Sequence, residues 1–341
     1  MKRLVIFINI ALLILYFSFL GSFCAESQAK EPFVLKFSTA LPPQAPPAVY
    51  MKKMIDSFNK RVEGRGKIEF YPGGSLCTME ESMDMLRSGA IDIVDFPLEY
   101  LTGNDHRFAA ITLPFIVDDF DASVRYLDNL NELLFSDILA EKVNGMPLVT
   151  FTTGPQEYFS AKKPVKNLED WNGLLIWVAT AAEGETVKIF GASPVSLPFF
   201  DGYPALEKGV VDAGVGANPT AIWDLKYYDS IRFITIANMF PTSVYFLMNL
   251  NSYKSLPNDV QKVLLEEAEK IQGELRGFNK ERQSACLEDL GKVPGMQIYI
   301  VPADERAKWK EKSRSVIEAY YEKIGPEAAK KIQEAADKAN K

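Results

Sequence analysis

Side chains that could catalyse a reaction are scarce in this chain. His106 is the only histidine, and it lies in the polar stretch Asn104-Asp105-His106-Arg107, which is typical of a solvated loop. A histidine-rich zinc site needs at least a second histidine. No Gly-x-Ser-x-Gly segment is present that would expose a nucleophilic serine above a sheet. The sequence therefore predicts a protein that is not an enzyme, with no catalytic residue, no metal site and no cofactor.

One glycine-rich segment has the outward form of a dinucleotide-binding loop. Gly214-Val215-Gly216-Ala217-Asn218-Pro219 follows a predicted strand, as such a loop does. Pro219 takes the place of the third glycine, which in a true loop lets the next helix pack closely against the strand. We therefore reject a dinucleotide cofactor.

The N-terminus has the form of an export signal. Lys2 and Arg3 precede an apolar run from Leu4 to Leu20, and Ser27-Gln28-Ala29 supplies the small residues of a cleavage site. A membrane anchor is the alternative, because the run approaches the roughly 17 to 25 residues that span a bilayer. We interpret residues 1–29 as a signal peptide that sends the protein to the periplasm. Whether it is cleaved at Ala29 or retained stays open.

Charge and cysteine content restrict the partners and the stabilising bonds. The formal net charge of −7 disfavours a nucleic-acid partner, because binding to phosphates needs a basic surface. Only Cys77 and Cys286 follow the predicted signal, and the periplasm permits disulfides. Whether these two thiols form a bridge stays open, because their separation in space does not follow from the sequence.

Local patterns predict individual elements. Residues Phe33 to Ser38 alternate like a first strand, and Thr78-Met79-Glu80-Glu81 has the capping-box pattern that begins a helix ending near Gly89. Residues Ile91 to Phe96 form a short apolar run, which we interpret as a buried strand.

Apolar strands alternate with amphipathic helices from Phe33 to about Phe240, which is typical of an α/β fold with mainly parallel strands. This strand-and-helix rhythm occurs twice, so we expect two lobes. A helical pattern from Pro257 to about Leu290 would reach roughly 50 Å, longer than one small lobe is wide. We assign residues 30–150 and 240–275 to lobe I, and residues 151–239 and 276–341 to lobe II.

Several sequence blocks occur in an order and spacing shared with one receptor family. They are Gly66-Lys67-Ile68-Glu69-Phe70-Tyr71-Pro72-Gly73-Gly74-Ser75-Leu76, Gly89-Ala90-Ile91-Asp92, Leu113-Pro114-Phe115, the segment from Lys163 to Leu174, Gly191-Ala192-Ser193-Pro194, the segment from Ala205 to Ala213, and Leu256-Pro257. In these blocks the chain resembles the substrate-binding proteins of tripartite ATP-independent periplasmic (TRAP) transporters, the DctP-like family.

The resemblance implies a two-lobed periplasmic-binding-protein fold of the Venus-flytrap type, with mixed sheets flanked by helices and one long helix spanning both lobes. It also implies that a small organic ligand is trapped as the lobes close. The receptor would then deliver this ligand to an ion-gradient-driven permease with a small and a large membrane subunit. The loop LPPQAPP (41–47) and the turn YPGGSL (71–76) would line one side of the cleft.

The same resemblance directs attention to two positions. Members of the family usually carry ligand-gripping arginines where this chain has Gln156 and Trp177. Without these two cations a buried carboxylate stays uncompensated, so we expect an aromatic or weakly charged ligand instead of a simple dicarboxylate. The Glu-Trp pair of members that bind 2-oxo acids with a metal is replaced by Val215 and Gly216. The predicted ligand-binding residues are Gln156, Glu157, Trp177, Thr180, Phe199, Tyr203, Asn218 and Trp223, with Phe200 nearby.

Alternatives remain at this stage. The aromatic candidates, Trp177 among them, could instead belong to the core, and Glu157 raises the idea of a cationic or zwitterionic ligand. A substitute cation such as Lys36, Lys52 or Lys162 would restore an anionic ligand. The receptor could also serve an ATP-driven importer or a sensor kinase, and the sequence does not decide between monomer and dimer.

Overall fold

The structure is a computed structural model that describes residues 31–341, apart from the side chain of Phe200. The predicted signal peptide lies outside these residues. The strands are β1 (Phe33–Ser38), β2 (Gly66–Tyr71), β3 (Ile93–Phe96), β4 (Gly145–Phe151), β5 (Gln156–Ser160), β6 (Leu175–Val178), β7 (Ser193–Ser196), β8 (Ala213–Ala217), β9 (Phe233–Phe240), β10 (Val244–Asn249) and β11 (Gln297–Ile300).

The helices flank these strands on both sides. They are α1 (Pro46–Arg61), α2 (Met79–Ser88), α3 (Phe120–Leu130), α4 (Ser136–Val143), α5 (Ala181–Phe190), α6 (Gly202–Glu207), α7 (Pro219–Asp224), α8 (Leu250–Ser255), α9 (Asn258–Lys292), α10 (Ala303–Ile324) and α11 (Pro326–Ala339). A short π-helical segment, Asn131–Phe135, joins α3 to α4.

The strands form two sheets, one in each lobe. The first lobe has the order β2-β1-β3-β10-β4 and the second has β11-β9-β5-β8-β6-β7. The predicted two-lobed α/β class with mixed sheets is confirmed. The expectation of mainly parallel strands is confirmed as well, with one exception in each sheet, because β10 is antiparallel to both its neighbours and so is β5. Both strands directly follow the short segments where the chain passes between lobes, and each enters its sheet in the reverse direction.

Local sequence signals explain why the cavity-forming elements begin where they do. The predicted capping box at the start of α2 is present: the Thr78 hydroxyl accepts from the Glu81 N–H, and Glu81 accepts from Thr78 in return. Gly89 ends the helix with a φ of +77°, which glycine adopts without steric cost. Helix α2 is thereby fixed with its N-terminus next to the carboxyl ends of β1 and β3.

Helix α9 connects the two lobes along their length. It has 35 residues and so extends roughly 50 Å. Leu264, Ile271 and Leu275 pack in the core of the first lobe, whereas Leu290 packs in the core of the second. The predicted spanning helix is therefore present.

The C-terminal helices differ from the assignment made from sequence. We placed residues 276–341 with lobe II, and Trp309 of α10 does pack there against Trp171. Helix α11 instead packs against α3 in the first lobe, where Ile332 is fully buried. The apolar face of α11 was visible in the sequence, but nothing in the pattern specified which lobe it would cover.

Within residues 31–341, no helix is long and apolar enough to cross a membrane. Cys77 and Cys286 do not form a disulfide with each other. Cys77 lies in the first lobe and Cys286 lies on α9, and both are buried free thiols.

Candidate functional site

A cavity of about 550 Å³ lies between the two lobes. Parallel strands tend to present ligand sites beyond their carboxyl ends, and here β1 and β3 both lead directly into the wall. We call this space the interlobe cavity. It is lined by residues 38–42, 44–47, 77–79, 82, 95, 97, 99, 100 and 242–244 on one side, and by residues 153, 156, 199, 216–218, 220, 221, 224 and 225 on the other. The predicted LPPQAPP loop thus lines the cavity. The YPGGSL turn does not line it, but residues 77–79, which follow the turn, do.

The charged groups of this cavity are acidic. Asp95, Glu99 and Asp224 line it, and none of its lining residues within the described chain is lysine, arginine or histidine. Asp224 is paired with Arg282 of α9, which compensates its charge. No salt bridge involving the described residues reaches Asp95 or Glu99. The cavity wall therefore carries two carboxyl groups that no described cation pairs with.

The environment of these two carboxyl groups disfavours their ionisation. Burial raises the pKa of Asp95 to about 6, with a smaller opposing effect from Thr39. Burial also raises the pKa of Glu99 to about 7, although the Ser243 hydroxyl donates to its Oε2 at 2.9 Å. The negative charge of Glu183 adds to the increase at Glu99. Both groups are thus partly protonated near neutral pH in the empty protein.

Glu183 belongs to the second lobe, where it hydrogen-bonds to backbone groups at the start of α5. One of its oxygens accepts from the Ala179 N–H at 2.7 Å and from the Thr180 N–H at 3.2 Å, at the start of α5. Its other oxygen, Oε1, is buried without a hydrogen-bond partner. Burial raises the pKa of Glu183 to about 7, and the Gln156 side chain beside it acts in the opposite direction. Glu183 does not line the interlobe cavity, but it lies close enough to Glu99 of the first lobe to raise the pKa of that carboxyl group.

Gln156 lies at the wall contributed by the second lobe. It is 8% exposed, and its Nε2 donates to the Gly216 carbonyl at 3.2 Å. Its Oε1 is buried and has no hydrogen-bond partner. The contact with Gly216 fixes the orientation of the amide, because the reverse orientation would bring two oxygens together. The amide also acts on Glu183, whose pKa it lowers, so the polar atoms of Gln156 are engaged or covered within the protein.

Two other predicted ligand residues also line the cavity, Phe199 and Asn218. Asn218 caps α7 by accepting from the Ala221 N–H at 2.9 Å, and its amide donates to Thr153 and to the Gly154 carbonyl. Its polar atoms are thus engaged within the protein. Phe199 provides a ring that the interlobe cavity shares with a second, neighbouring cavity of about 530 Å³.

Trp177 was predicted to contact the ligand, but it does not line the interlobe cavity. It is 1% exposed, and its Nε1 donates to the Leu197 carbonyl at 3.2 Å. Three glycines surround the indole. A methyl group added at Gly202 would overlap the ring, and one added at Gly214 or Gly216 would come within 2.8 or 3.2 Å of it. The structure thus corrects the prediction: Trp177 fills the core of the second lobe.

Glu157 is also buried away from the cavity and is 0% exposed. Its carboxylate accepts from the Ala237 N–H at 2.7 Å and from the Asn238 N–H at 3.0 Å, where the pairing of β5 with β9 is irregular. Burial raises its pKa to about 8, and Arg306 acts weakly in the opposite direction. Glu157 satisfies the backbone of β9 in this structure and is not placed to bind a ligand.

The remaining predicted residues lie outside the interlobe cavity as well. Thr180 caps α5 through the Glu183 N–H at 3.3 Å. Tyr203 packs on Tyr227 with ring centroids 5.3 Å apart, and Trp223 packs on Tyr228 at 5.1 Å. The side chain of Phe200 lies outside the described part of the chain.

The suggested substitute cations lie elsewhere on the protein. Lys36 is exposed, Lys52 pairs with Asp56 on α1, and Lys162 pairs with Asp212. Arg87 borders the neighbouring cavity but pairs with Asp84 at 3.3 Å. None of these side chains lines the interlobe cavity. The described residues also contain no group of three or more His, Cys, Asp and Glu side chains arranged to hold a metal ion.

Asp95 and Glu99 are the site residues that sequence reasoning missed. The segment Ile93-Val94-Asp95-Phe96 was interpreted only as a buried strand. A carboxylate inside a buried apolar run was itself a signal, because burying a charge is costly unless a partner or a ligand compensates it.

A family model described as bacterial extracellular solute-binding protein, family 7, or DctP, matches residues 37–324. The chain therefore belongs to this family. It is a family of solute receptors, so the expectations of a TRAP-type substrate-binding protein and of a protein that is not an enzyme are both confirmed.

The chain is similar in sequence to a named relative and in fold to solved structures. The C4-dicarboxylate-binding periplasmic protein DctP of Rhodobacter capsulatus is 25% identical over 308 residues, which are 89% of this chain and 91% of that protein. The sugar acid binding protein DctPAm of Advenella mimigardefordensis, solved with galactonate, has a TM-score of 0.80 at 23% identity over 90% of this chain and 99% of its own. A TRAP solute-binding protein of Ochrobactrum anthropi has a TM-score of 0.82 at 20% identity, covering 89% of this chain and 95% of its own.

Proposed function

We propose that the protein is a periplasmic receptor that captures a small organic ligand between its lobes and delivers it to a TRAP-type permease driven by an ion gradient. The observation that carries the proposal is the interlobe cavity, enclosed by both lobes at the carboxyl ends of β1 and β3, in a chain of the DctP family. Such a cavity changes shape when the lobes rotate, so a ligand that contacts both walls favours the closed state.

The ligand differs from the simple carboxylates named for several relatives. The relatives are at most about a quarter identical in the examples above, so their ligands do not transfer to this chain. The cavity has no basic lining residue within residues 31–341, and a buried carboxylate without a cation is costly. Its walls are largely apolar and include Tyr100 and Phe199, which suit a ligand with an apolar or ring-shaped body.

Binding and closure are tested on protein freed of co-purified ligand. A thermal-shift screen over carboxylates, sulfonates, aromatic acids, amines and neutral ring compounds identifies ligands, because a ligand that binds only the folded protein stabilises it. Small-angle scattering with and without the best ligand then measures closure. The proposal fails if no small organic compound of any class binds, or if a bound ligand leaves the lobes apart.

Delivery and export need separate experiments. Vesicles that contain a small and a large TRAP membrane subunit should take up the ligand only with this protein and an ion gradient. Uptake that depends on ATP would assign the receptor to another type of importer. Removal of residues 1–29 should keep the protein in the cytoplasm, as fractionation of cells would show.

A further inference from the structure

We propose that the two lobes rotate about a clamp that lies on the side of β5 away from the interlobe cavity. The clamp comprises residues 113–118 of the first lobe, residues 237–239 of β9 and Arg306 of α10, and its contacts stay formed as the cavity opens and closes. This inference rests on the proposed receptor function, because it assigns the pivot of the motion that captures a ligand, and it holds for a ligand of any class.

A bulge of β9 supplies the second-lobe side of the clamp. Two steps along β5, from Gln156 to Tyr158, are matched by five steps along β9, from residue 240 to residue 235. The extra residues leave the ladder, as in a β-bulge, and Asn238 among them has a φ of +50°. Its Nδ2 donates to the backbone carbonyl of Asp118 in the first lobe at 2.8 Å. The bulge therefore reaches from the second sheet to the other lobe.

Residues 113–118 supply the first-lobe side of the clamp. Leu113 and Ile116 pack in the core of the first lobe, but Phe115 between them is fully buried in the core of the second, where it packs on Phe190 with ring centroids 6.4 Å apart. The Phe115 N–H donates to the Met239 carbonyl at 2.7 Å. Its φ of +52° lies in the left-handed region, which a bulky residue rarely adopts unless its surroundings hold it there. One residue of the first lobe is thus inserted into the second lobe and fixed there.

Arg306 joins the two sides. Its Nε donates to the Ala237 carbonyl of the bulge at 2.7 Å, whereas Nη1 donates to the Asp118 carboxylate at 2.9 Å and Nη2 to the Val117 carbonyl at 3.0 Å. The guanidinium also lies over the Phe115 ring, 5.5 Å from its centroid. Hydrogen bonds from a charged donor are stronger than neutral ones, and this side chain is only 19% exposed. One side chain therefore holds groups of both lobes.

The clamp and the interlobe cavity lie on opposite faces of β5. Neighbouring side chains of a strand point to opposite faces. Gln156 lines the cavity, whereas Glu157 accepts from the Ala237 and Asn238 N–H groups of the bulge. None of the described residues that form the clamp lines the cavity. Rotation about the clamp therefore changes the width of the cavity without any contact between the clamp and the ligand.

Separation of the lobes at the clamp would be unfavourable. It would bring the Phe115 side chain into water and break the hydrogen bonds that Arg306 and Asn238 make across the lobes. Helix α10 also crosses between the lobes beside the clamp, because Trp309 packs in the core of the second lobe and Tyr320 in that of the first. A continuous helix limits how far the lobes can part on this side. The contacts therefore suit a pivot better than a latch that breaks in each cycle.

The experiment follows the clamp and the lobes in the same ligand-freed protein. Hydrogen exchange, measured by mass spectrometry on peptides that contain Phe115 or Asn238, reports whether the clamp opens. Electron spin resonance reports the distance between one nitroxide label in each lobe, attached through non-canonical residues at the exposed positions 60 and 208. We expect the amides of the clamp to exchange as slowly as those of β8, which is an interior strand of the second sheet.

Variants test the assigned contacts. In Arg306→Gln we expect exchange of the Phe115 peptides to accelerate roughly ten- to a hundredfold, the range for loss of hydrogen bonds to a charged group, and the label distances to spread beyond those of the wild type. Arg276→Gln is the matched control, because Arg276 is 18% exposed and contacts the Asp128 carboxylate and the Thr150 carbonyl within the first lobe alone. It should lower the urea midpoint comparably yet keep the wild-type distances. Arg306→Lys should restore part of the protection from exchange.

Clamp peptides of the wild type that exchange as fast as exposed loops overturn the inference, because the contacts then break as the lobes move. Label distances in Arg306→Gln that match those of the wild type also overturn it. Either result leaves capture of a ligand intact. Absence of binding by every small organic compound refutes the proposed function instead, whatever the clamp does.

Discussion

Replacing Trp177 by alanine distinguishes a core role from ligand stacking. The indole is 1% exposed and contacts Phe159, Phe199 and Tyr227 at ring-centroid distances of 6.0 to 6.2 Å. Truncating a buried tryptophan or phenylalanine typically costs about 3–5 kcal/mol, because transfer energy is lost and a cavity remains. We expect Trp177→Ala to lower the free energy of unfolding by that amount, measured by urea denaturation.

The glycines around the ring supply an internal control. In the wild type, Gly202→Ala places a methyl group against the indole, and overpacking of this kind typically costs about 1–3 kcal/mol. In the Trp177→Ala background the indole is absent, and alanine in a helix is better than glycine by about 0.5–1 kcal/mol. Gly202→Ala should therefore destabilise the wild type but stabilise the Trp177→Ala variant, which gives a large coupling energy.

The matched surface change is Trp223→Ala, since Trp223 is only partly buried. It should cost clearly less than Trp177→Ala. If Trp177→Ala instead kept its unfolding free energy and lost most of its ligand affinity, the indole would have to contact the ligand, and our placement of it in the core would be refuted.

Three further outcomes follow from the same contacts. The folded-state pKa of Glu99 is about 7, whereas its ordinary value is 4.5, so the free energy of unfolding of the empty protein should fall as pH rises through this range. Glu99 contributes up to about 3 kcal/mol of this fall. Glu99→Gln should therefore show a correspondingly weaker pH dependence in urea denaturation at successive pH values. Glu157→Ala should destabilise by about 1–3 kcal/mol, because it leaves backbone N–H groups of β9 buried and unpaired, while ligand affinity in the folded fraction stays unchanged. Dithiothreitol should not alter the unfolding midpoint, and the unfolded chain without residues 1–29 should titrate as two thiols, Cys77 and Cys286, without prior reduction.

The sequence predicted the larger elements well because their signals are local. Strand β1 was predicted with its observed bounds, Phe33–Ser38, and the capping box at Thr78 correctly located α2. Strands β5 and β9 escaped detection as strands. Their pairing is irregular, and the buried Glu157 within β5 breaks the apolar pattern that identifies a buried strand.

The candidate site was harder to predict because burial is a property of the assembled lobe. Trp177 lies on an apolar strand, and its position does not show whether the ring points to the cleft or to the core. The decisive neighbours are glycines 202, 214 and 216, which come from other elements. The pair Gly214 and Gly216 was considered only as a possible cofactor loop, although the two glycines make room for a large ring.

The absence of a basic lining residue within residues 31–341 explains only part of the electrostatics of the interlobe cavity. The excess of negative charge arises from Asp95 and Glu99, which the first lobe contributes. Glu183 lies close enough to Glu99 to raise its pKa, so approach of the lobes brings like charges together. Glu99→Gln removes this repulsion, so the empty variant should close more readily than the wild type, which small-angle scattering on the two ligand-freed proteins can measure. Identical scattering of the two proteins would show that the repulsion does not hold the lobes apart.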